Sequence, residues 1–365
     1  MTATTQANQD SLSLHGFFSQ GYLYSKGNDF FGESTDGSWE YYEAGAGGRY
    51  RVAPYLSLAG QFFARDAGRG DNGSVRTDYL YADLRLAQSN NAGTSIRVGR
   101  VRNPFGFYNS TRDVFFTRPS ILLPQQYLES FGVRELLFSS DGAQFHSYWE
   151  GDNHHLEFTS TFGKNDKISS DTVTNMFGAG SSLNGDAELQ SPVFAQLSGG
   201  LAGDRWKAAL SYYNTTLAFS NTSIVASLDA TLMAASLQYN AEKLSLTGEY
   251  SLLSSNSVFV IPAVNLVSTG NSKTETAYIQ ADYRLDNKVT AYTRFDHRLG
   301  NRERPNETDS SILTLGARWE PRKQWRFAAE IHGIRGTAPI PAIDNRNTSL
   351  AERSELIVLM AGYRF

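Results

Sequence analysis

The chain has no cysteine among its 365 residues, so disulfides, thiolate metal sites and cysteine nucleophiles are excluded. It also lacks any apolar run near the roughly 18 residues that a membrane-crossing helix requires, which rules out a helical membrane protein. Helical periodicity is nowhere sustained. A secretory leader is missing too: Met1 opens into the polar stretch T-A-T-T-Q-A-N-Q-D, and a mature chain whose leader has been removed is the expectation. With only six histidines and no nucleophile signature, the chain is read as no enzyme. His154 and His155 are neighbours that would point to opposite faces of a strand, which suits a polar turn better than a metal site. Asp29, Glu33 and Asp36 lack the spacing of a calcium loop, so neither a metal nor a cofactor is expected. No nucleic-acid partner is expected either, because the basic residues alternate with apolar ones along strands.

What is present is alternation. Aromatics reach 13% while hydrophobic residues stop at 40%, a balance that fits strands whose oily and polar faces average out. Ile357, Leu359, Ala361, Tyr363 and Phe365 make one apolar face at a period of two, ending on two aromatics. Exposed in water, such an edge would invite aggregation. In a closed membrane barrel it becomes the closing seam, with its aromatics at the lipid interface.

The same pattern recurs from about residue 11 onward. Tyr42, Ala44, Ala46, Tyr50 and Val52 oppose Glu43, Arg49 and Arg51; Leu80, Ala82, Leu84 and Leu86 oppose Tyr79, Tyr81, Asp83 and Arg85. Further pairs run to Leu313–Trp319 and Trp325–Ile331, giving about sixteen strands. Seven short turns, near Ala53, Asn91, Asp152, Gly203, Ala241, Asn287 and Arg322, interleave with eight long polar loops. That asymmetry defines the expected fold: an all-β, transmembrane, antiparallel up-and-down barrel with short periplasmic turns, long extracellular loops and both termini periplasmic. Residues 1–10 are expected to be a flexible N-terminal segment and 11–365 a single barrel. Alternation fails over 102–135, a length that is usually functional in a loop. The segment is too apolar to hang in water, so it is expected to fold into the lumen.

Sixteen strands enclose an aqueous channel whose charge selects what passes. Arginine outnumbers lysine about three to one. On the polar faces stand Arg49, Arg51, Arg65, Arg85, Arg97, Lys207, Arg284, Arg294, Arg298, Arg318, Arg326 and Arg364, against Glu43, Asp83, Glu157, Glu249, Asp282, Asp296 and Glu330. Around the long segment lie Arg100, Arg102, Arg112, Arg118 and Arg134, opposed by Asp113, Glu129 and Glu135. The lumen is thus net positive in a chain of net charge −4. Arginine forks onto carboxylates and phosphates, so a preference for small anionic or polar solutes is expected. The competing expectation is that these arginines pair with the acids and stiffen the wall.

Four stretches carry a family resemblance: L-S-L-H-G-F-F-S-Q-G-Y, V-G-R-V-R-N-P-F-G-F-Y-N, D-G-A-Q-F-H-S-Y-W and the terminal G-Y-R-F. Together they resemble outer-membrane porins, nearest the phosphate-selective O and P porins and the DcaP-like group. The resemblance implies a sixteen-stranded homotrimer set among outer-membrane lipid and lipopolysaccharide. It also implies a third loop that narrows the pore, and terminal aromatics Tyr363 and Phe365 that the assembly machinery reads. The alternative from the same pattern is a sleeve enclosing a partner such as a multihaem cytochrome.

Overall fold

A computed structural model describes residues 11–127, 134–166, 168–170, 172–173, 185–300, 308–346 and 349–365; the expected flexible segment 1–10 lies outside these. The first eight strands are β1 (Leu12–Lys26), β2 (Tyr41–Ala53), β3 (Leu56–Ala67), β4 (Asn72–Gln88), β5 (Ala92–Arg102), β6 (Ser139–Glu150), β7 (His154–Lys164) and β8 (Asp186–Leu201). The second eight are β9 (Trp206–Ser220), β10 (Val225–Asn240), β11 (Leu244–Ile261), β12 (Leu266–Arg284), β13 (Val289–Leu299), β14 (Ser310–Arg322), β15 (Trp325–Arg335) and β16 (Arg353–Arg364). Each pairs antiparallel with its sequence neighbour, and β1 closes on β16 from Phe17 opposite Arg364 to Lys26 opposite Glu355. Closure leaves no ladder edge unpaired, as the alternation predicts.

The polarity of the ring is inverted relative to a soluble barrel. Leu58, Phe62, Leu80, Leu210, Ile279, Phe295, Leu315 and Ile331 are exposed, while the residues between them are buried, including Gln61, Ser211, Gln280, Asp296, Thr314 and Glu330. An apolar outer band of this kind is stable only against lipid. Aromatic pairs mark its lower border, at the short-turn ends of the strands: Trp206 lies 4.6 Å from Tyr239, and Trp325 lies 4.9 Å from Tyr363. At the seam the Phe365 N–H donates to the Gly16 carbonyl at 3.0 Å, and the Phe365 ring covers Gly16 so closely that a Cβ there would sit 2.5 Å from it.

All seven turns fall where the sequence places them. The opposite rim differs from expectation, because three of its eight connections are short: 68–71, 221–224 and 262–265. Strands β9 to β12 run 15 to 19 residues and continue past the apolar band. There the outward face turns polar (Asp229 opposite Asn256 and Thr216, Thr231 opposite Ser254) while inward Ala226, Leu228 and Leu232 are apolar, so the alternation reverses although the ladder persists. Asn221 closes one hairpin by accepting the N–H groups of Ser223 and Ile224 at 2.9 and 2.7 Å. A left-handed Asn265 closes the other.

The buried apolar side chains lie on the inner side of the ring. Leu23, Tyr41, Leu356, Val358 and Met360 of β1, β2 and β16 pack with Phe115, Phe116 and Ile121 from the segment after β5. A second cluster joins Phe105, Leu123, Tyr127 and Leu137 to Phe194, Tyr213 and Leu232 of β8, β9 and β10.

Candidate functional site: a tethered segment facing a basic wall

The period of two sends alternate side chains of every strand inward, and four inward carboxylates hold the segment that follows β5. Glu43 of β2 receives the Arg118 guanidinium in a fork, both N–O distances 2.7 Å, with Arg65 Nε 3.6 Å away. Glu330 of β15 accepts the backbone N–H groups of Ile121 and Leu122 at 2.5 and 3.2 Å, and the Tyr292 hydroxyl at 2.5 Å. Asp296 of β13 accepts the Gln125 N–H at 3.1 Å. Glu249 of β11 takes five donors: the Phe107 N–H, Gln126 Nε2 and the hydroxyls of Tyr127, Ser236 and Tyr278. Burial, and next the charge of Glu249, lift the Tyr127 hydroxyl well above the ordinary phenol range, so it remains a donor.

Inward arginines satisfy the segment's carbonyls in turn. Arg294 donates to the Leu122 carbonyl at 2.9 Å, Arg318 to that of Pro119 at 2.7 Å, and Arg326 to that of Phe115 at 2.7 Å. Each keeps an acid beside it: Asp296 at 2.7 Å, Asp282 at 3.1 Å and Glu320 at 2.9 Å respectively. An irregular segment has no ladder of its own, so its backbone groups need these partners once it is buried.

Most of the arginines expected to face a channel are therefore occupied. Arg65 sits beside Glu43 and over the rings of Phe31 and Tyr41, and Arg102 binds Asp78 and the Ser110 carbonyl. Arg112 is buried and donates to Asn109; Asp113 is buried nearby. Arg100 departs from its expected place. It stands opposite Leu80 and Asp141 on the outward face and pairs with Asp141 at 3.0 Å, because it is three residues from inward-facing Arg97. Glu129 and the side chain of Arg134 lie outside the described residues.

A second group keeps its charge accessible near the short turns. Arg49, Arg85 and Arg97 line a cavity of about 190 Å³ with His146, Tyr148 and one acid, Asp83. Arg49 lies 3.7 Å and Arg97 3.4 Å from Asp83, and the Arg49 side chain stays 53% exposed. Arg51 on β2 is exposed as well. His146 is engaged by Glu157 at 2.8 Å. Three guanidinium groups against Asp83 and Glu157 leave this part of the wall net positive.

The four tethers, Glu43, Glu249, Asp296 and Glu330, all stand among the polar-face acids that alternation turns inward, but nothing in their spacing marks them as the groups that hold the segment. Asp78 is missed for a physical reason. A bulge sets Gln61 opposite Tyr79 and Phe62 opposite Thr77, so Asp78 is an extra residue that breaks the parity. It accepts Gln61 Nε2 at 2.6 Å. Among the described residues no group of three histidines or acids is placed to hold a metal ion.

The geometry is that of a membrane barrel with a segment of its own chain held against the inner wall. Over almost its whole length the chain is similar in fold to OmpF of Salmonella typhi, solved with daunomycin, at a TM-score of 0.64 and 14% identity, with 97% of each chain covered. It is also similar to the anion-selective porin of Comamonas acidovorans (TM-score 0.55, 12% identity, 97% of this chain and 99% of that one). The outer membrane channel DcaP of Acinetobacter baumannii matches as well (TM-score 0.54, 12% identity, 97% of each). No family model and no curated protein matches the chain. At these identities the likeness is one of fold: an outer-membrane β-barrel of the porin kind. A sleeve around a second protein gains no support, since the inward carboxylates of β2, β11, β13 and β15 are engaged by residues 107–127 of the same chain.

Proposed function

We propose that the protein is an outer-membrane porin, not an enzyme, that passes small hydrophilic solutes by diffusion and prefers anions. The connection from β5 to β6, held against the inner wall over 103–127, is the third loop, and what passes must squeeze between it and the wall. The observation that carries the anion preference is the set Arg49, Arg85 and Arg97, of which Arg49 and Arg85 are exposed, with Asp83 among them and Glu157 beyond His146. The buried arginines 118, 294, 318 and 326 act instead as fasteners of the loop. Placement nearest the phosphate-selective O and P porins rests on the motif G-R-V-R-N-P-F-G alone.

Both termini face the periplasm in this reading, and Tyr363 and Phe365 serve as the assembly signal. The functional unit is a homotrimer embedded among lipid and lipopolysaccharide. Reversal potentials of the purified barrel across a salt gradient test the proposal. Anion-selective current supports it; cation selectivity overturns the preference, and absence of conductance overturns the channel.

A further inference from the structure

The outward face of β15 and β16 ends, on the long-loop side, in an arrangement that the wall does not explain. Arg335 and Arg353 stand directly opposite one another across the ladder, and both are exposed. Like charges directly opposite on neighbouring strands destabilise a sheet. Neither has a carboxylate within 4.0 Å among the described residues, and neither does Lys26, which lies opposite Glu355 on the closing strand pair. One residue closer to the oily band along the outward face, Gly333 sits between Leu313 and Glu355. A Cβ added there would meet nothing within 4 Å. The result is an open groove of about 540 Å³ with Phe295, Leu313 and Gly333 along it and three cations and one acid at its rim. Tyr24, one outward position below Lys26 and opposite Ile357, places this rim just beyond the apolar band, at headgroup depth.

We propose that this rim binds a phosphorylated glycolipid of the outer leaflet, its phosphates forked by Arg335 and Arg353 and contacted by Lys26, with one acyl chain along the groove over Gly333. The inference rests on the membrane-barrel reading but not on ion selectivity. Charge complementarity selects the occupant. Three cations less Glu355 leave two positive charges, which a diphosphorylated headgroup matches and a single-phosphate phospholipid does not. Bound phosphate also removes the repulsion between the two arginines, since guanidinium groups take phosphate oxygens in bidentate pairs.

The test is lipid titration of the detergent-purified full chain, read by native mass spectrometry and thermal unfolding. The probes are diphosphoryl lipid A, phosphatidylglycerol and inorganic phosphate. Diphosphoryl lipid A should bind and raise the melting temperature, and R335Q/R353Q should weaken that binding by at least about tenfold, the effect of losing one charge-assisted hydrogen bond. Lipid-free R335Q/R353Q should melt no lower than the parent, because the substitution relieves repulsion. Gly333→Leu should weaken binding while leaving every charge in place. Equal binding by R335Q/R353Q and the parent overturns the proposal, as does binding of phosphatidylglycerol or inorganic phosphate as tight as that of lipid A. Conductance of R335Q/R353Q should match the parent, so loss of the lipid site and failure of the channel reading are separate results.

Discussion

Arg118 and Glu43 lie 75 positions apart, yet their side chains meet in a two-pronged ion pair, each only 1% exposed. Removing Arg118 leaves Glu43 with Arg65 at 3.6 Å and the Ser19 hydroxyl at 3.3 Å, so the cost should stay below the roughly 3–5 kcal/mol of a stranded buried charge. Arg118→Ala is therefore expected to release the turn around 115–122 from the wall. Single-channel records should show larger and noisier current, and limited proteolysis should cut the segment faster than in the parent. Unchanged noise and unchanged cleavage would show that the pair does not hold the loop.

Glu249 collects five donors, and only a carboxylate can accept from all of them. Glu249→Gln keeps the shape but turns an NH₂ group toward hydroxyls and an N–H that need an acceptor. The cost should be about 1–3 kcal/mol for each donor left without a partner. Hydrogen exchange at the Phe107 amide checks this: protection should fall by tenfold or more, on the order of 1.4 kcal/mol. Tyr127→Phe, which removes one donor, should have the smaller effect.

Selectivity and stability should separate cleanly between two sets of arginines. R49Q/R85Q/R97Q removes accessible charge and is expected to shift the reversal potential toward that of a neutral pore, with little change in melting temperature. Arg294→Gln removes a guanidinium that is 2% exposed and bonded to Asp296, Ser120 and Leu122. It should lower the melting temperature while leaving selectivity nearly untouched. The reverse outcome would reassign which arginines the solute meets.

Asp344, in the connection between β15 and β16, accepts the Arg69 N–H at 3.0 Å, and burial lifts its pKa to about 6. The folded loop therefore holds this proton more tightly than an unfolded chain, whose value is near 3.9. Its contribution is fully present below about pH 4 and is lost as pH rises through about 6. The difference amounts to at most about 3 kcal/mol at 1.36 kcal/mol per unit. Protection over 336–346, taken relative to the intrinsic exchange rate at each pH, should fall between about pH 4 and 6, and Asp344→Asn should abolish that fall. A parent loop whose protection is flat across this range would refute the assignment.

Much of the wall was legible from residue order. Ile279, Phe295, Leu315, Ile331 and Leu359 point out and Gln280, Asp296, Thr314, Glu330 and Val358 point in because strand geometry permits nothing else once the pairing is antiparallel. The seven turns were legible for the same reason. The outer hairpins of β9 to β12 were not, since beyond the apolar band the outward face of β10 turns polar and its inward face apolar, the reverse of the parity that reads as a membrane strand. Asp78 escaped because a bulge shifts parity without altering composition. Arg100 was assigned inward on proximity to the long segment, whereas its parity relative to Arg97 places it outward.

Amino-acid order by itself determined the ring: strand number, the inverted polarity, the closing seam at Phe365 and the interruption after Arg102. These follow from a local rule repeated every two residues. Only the tertiary structure decided which inward arginines are fasteners and which stay accessible. Arg118 finds Glu43 and Arg326 finds the Phe115 carbonyl inside the barrel, 75 and 211 positions apart in the chain, and no spacing along the chain encodes a meeting of that kind. Whether a guanidinium is spent on the chain's own backbone or left to face water depends on where the irregular segment comes to rest, and that is set by packing summed over the whole interior.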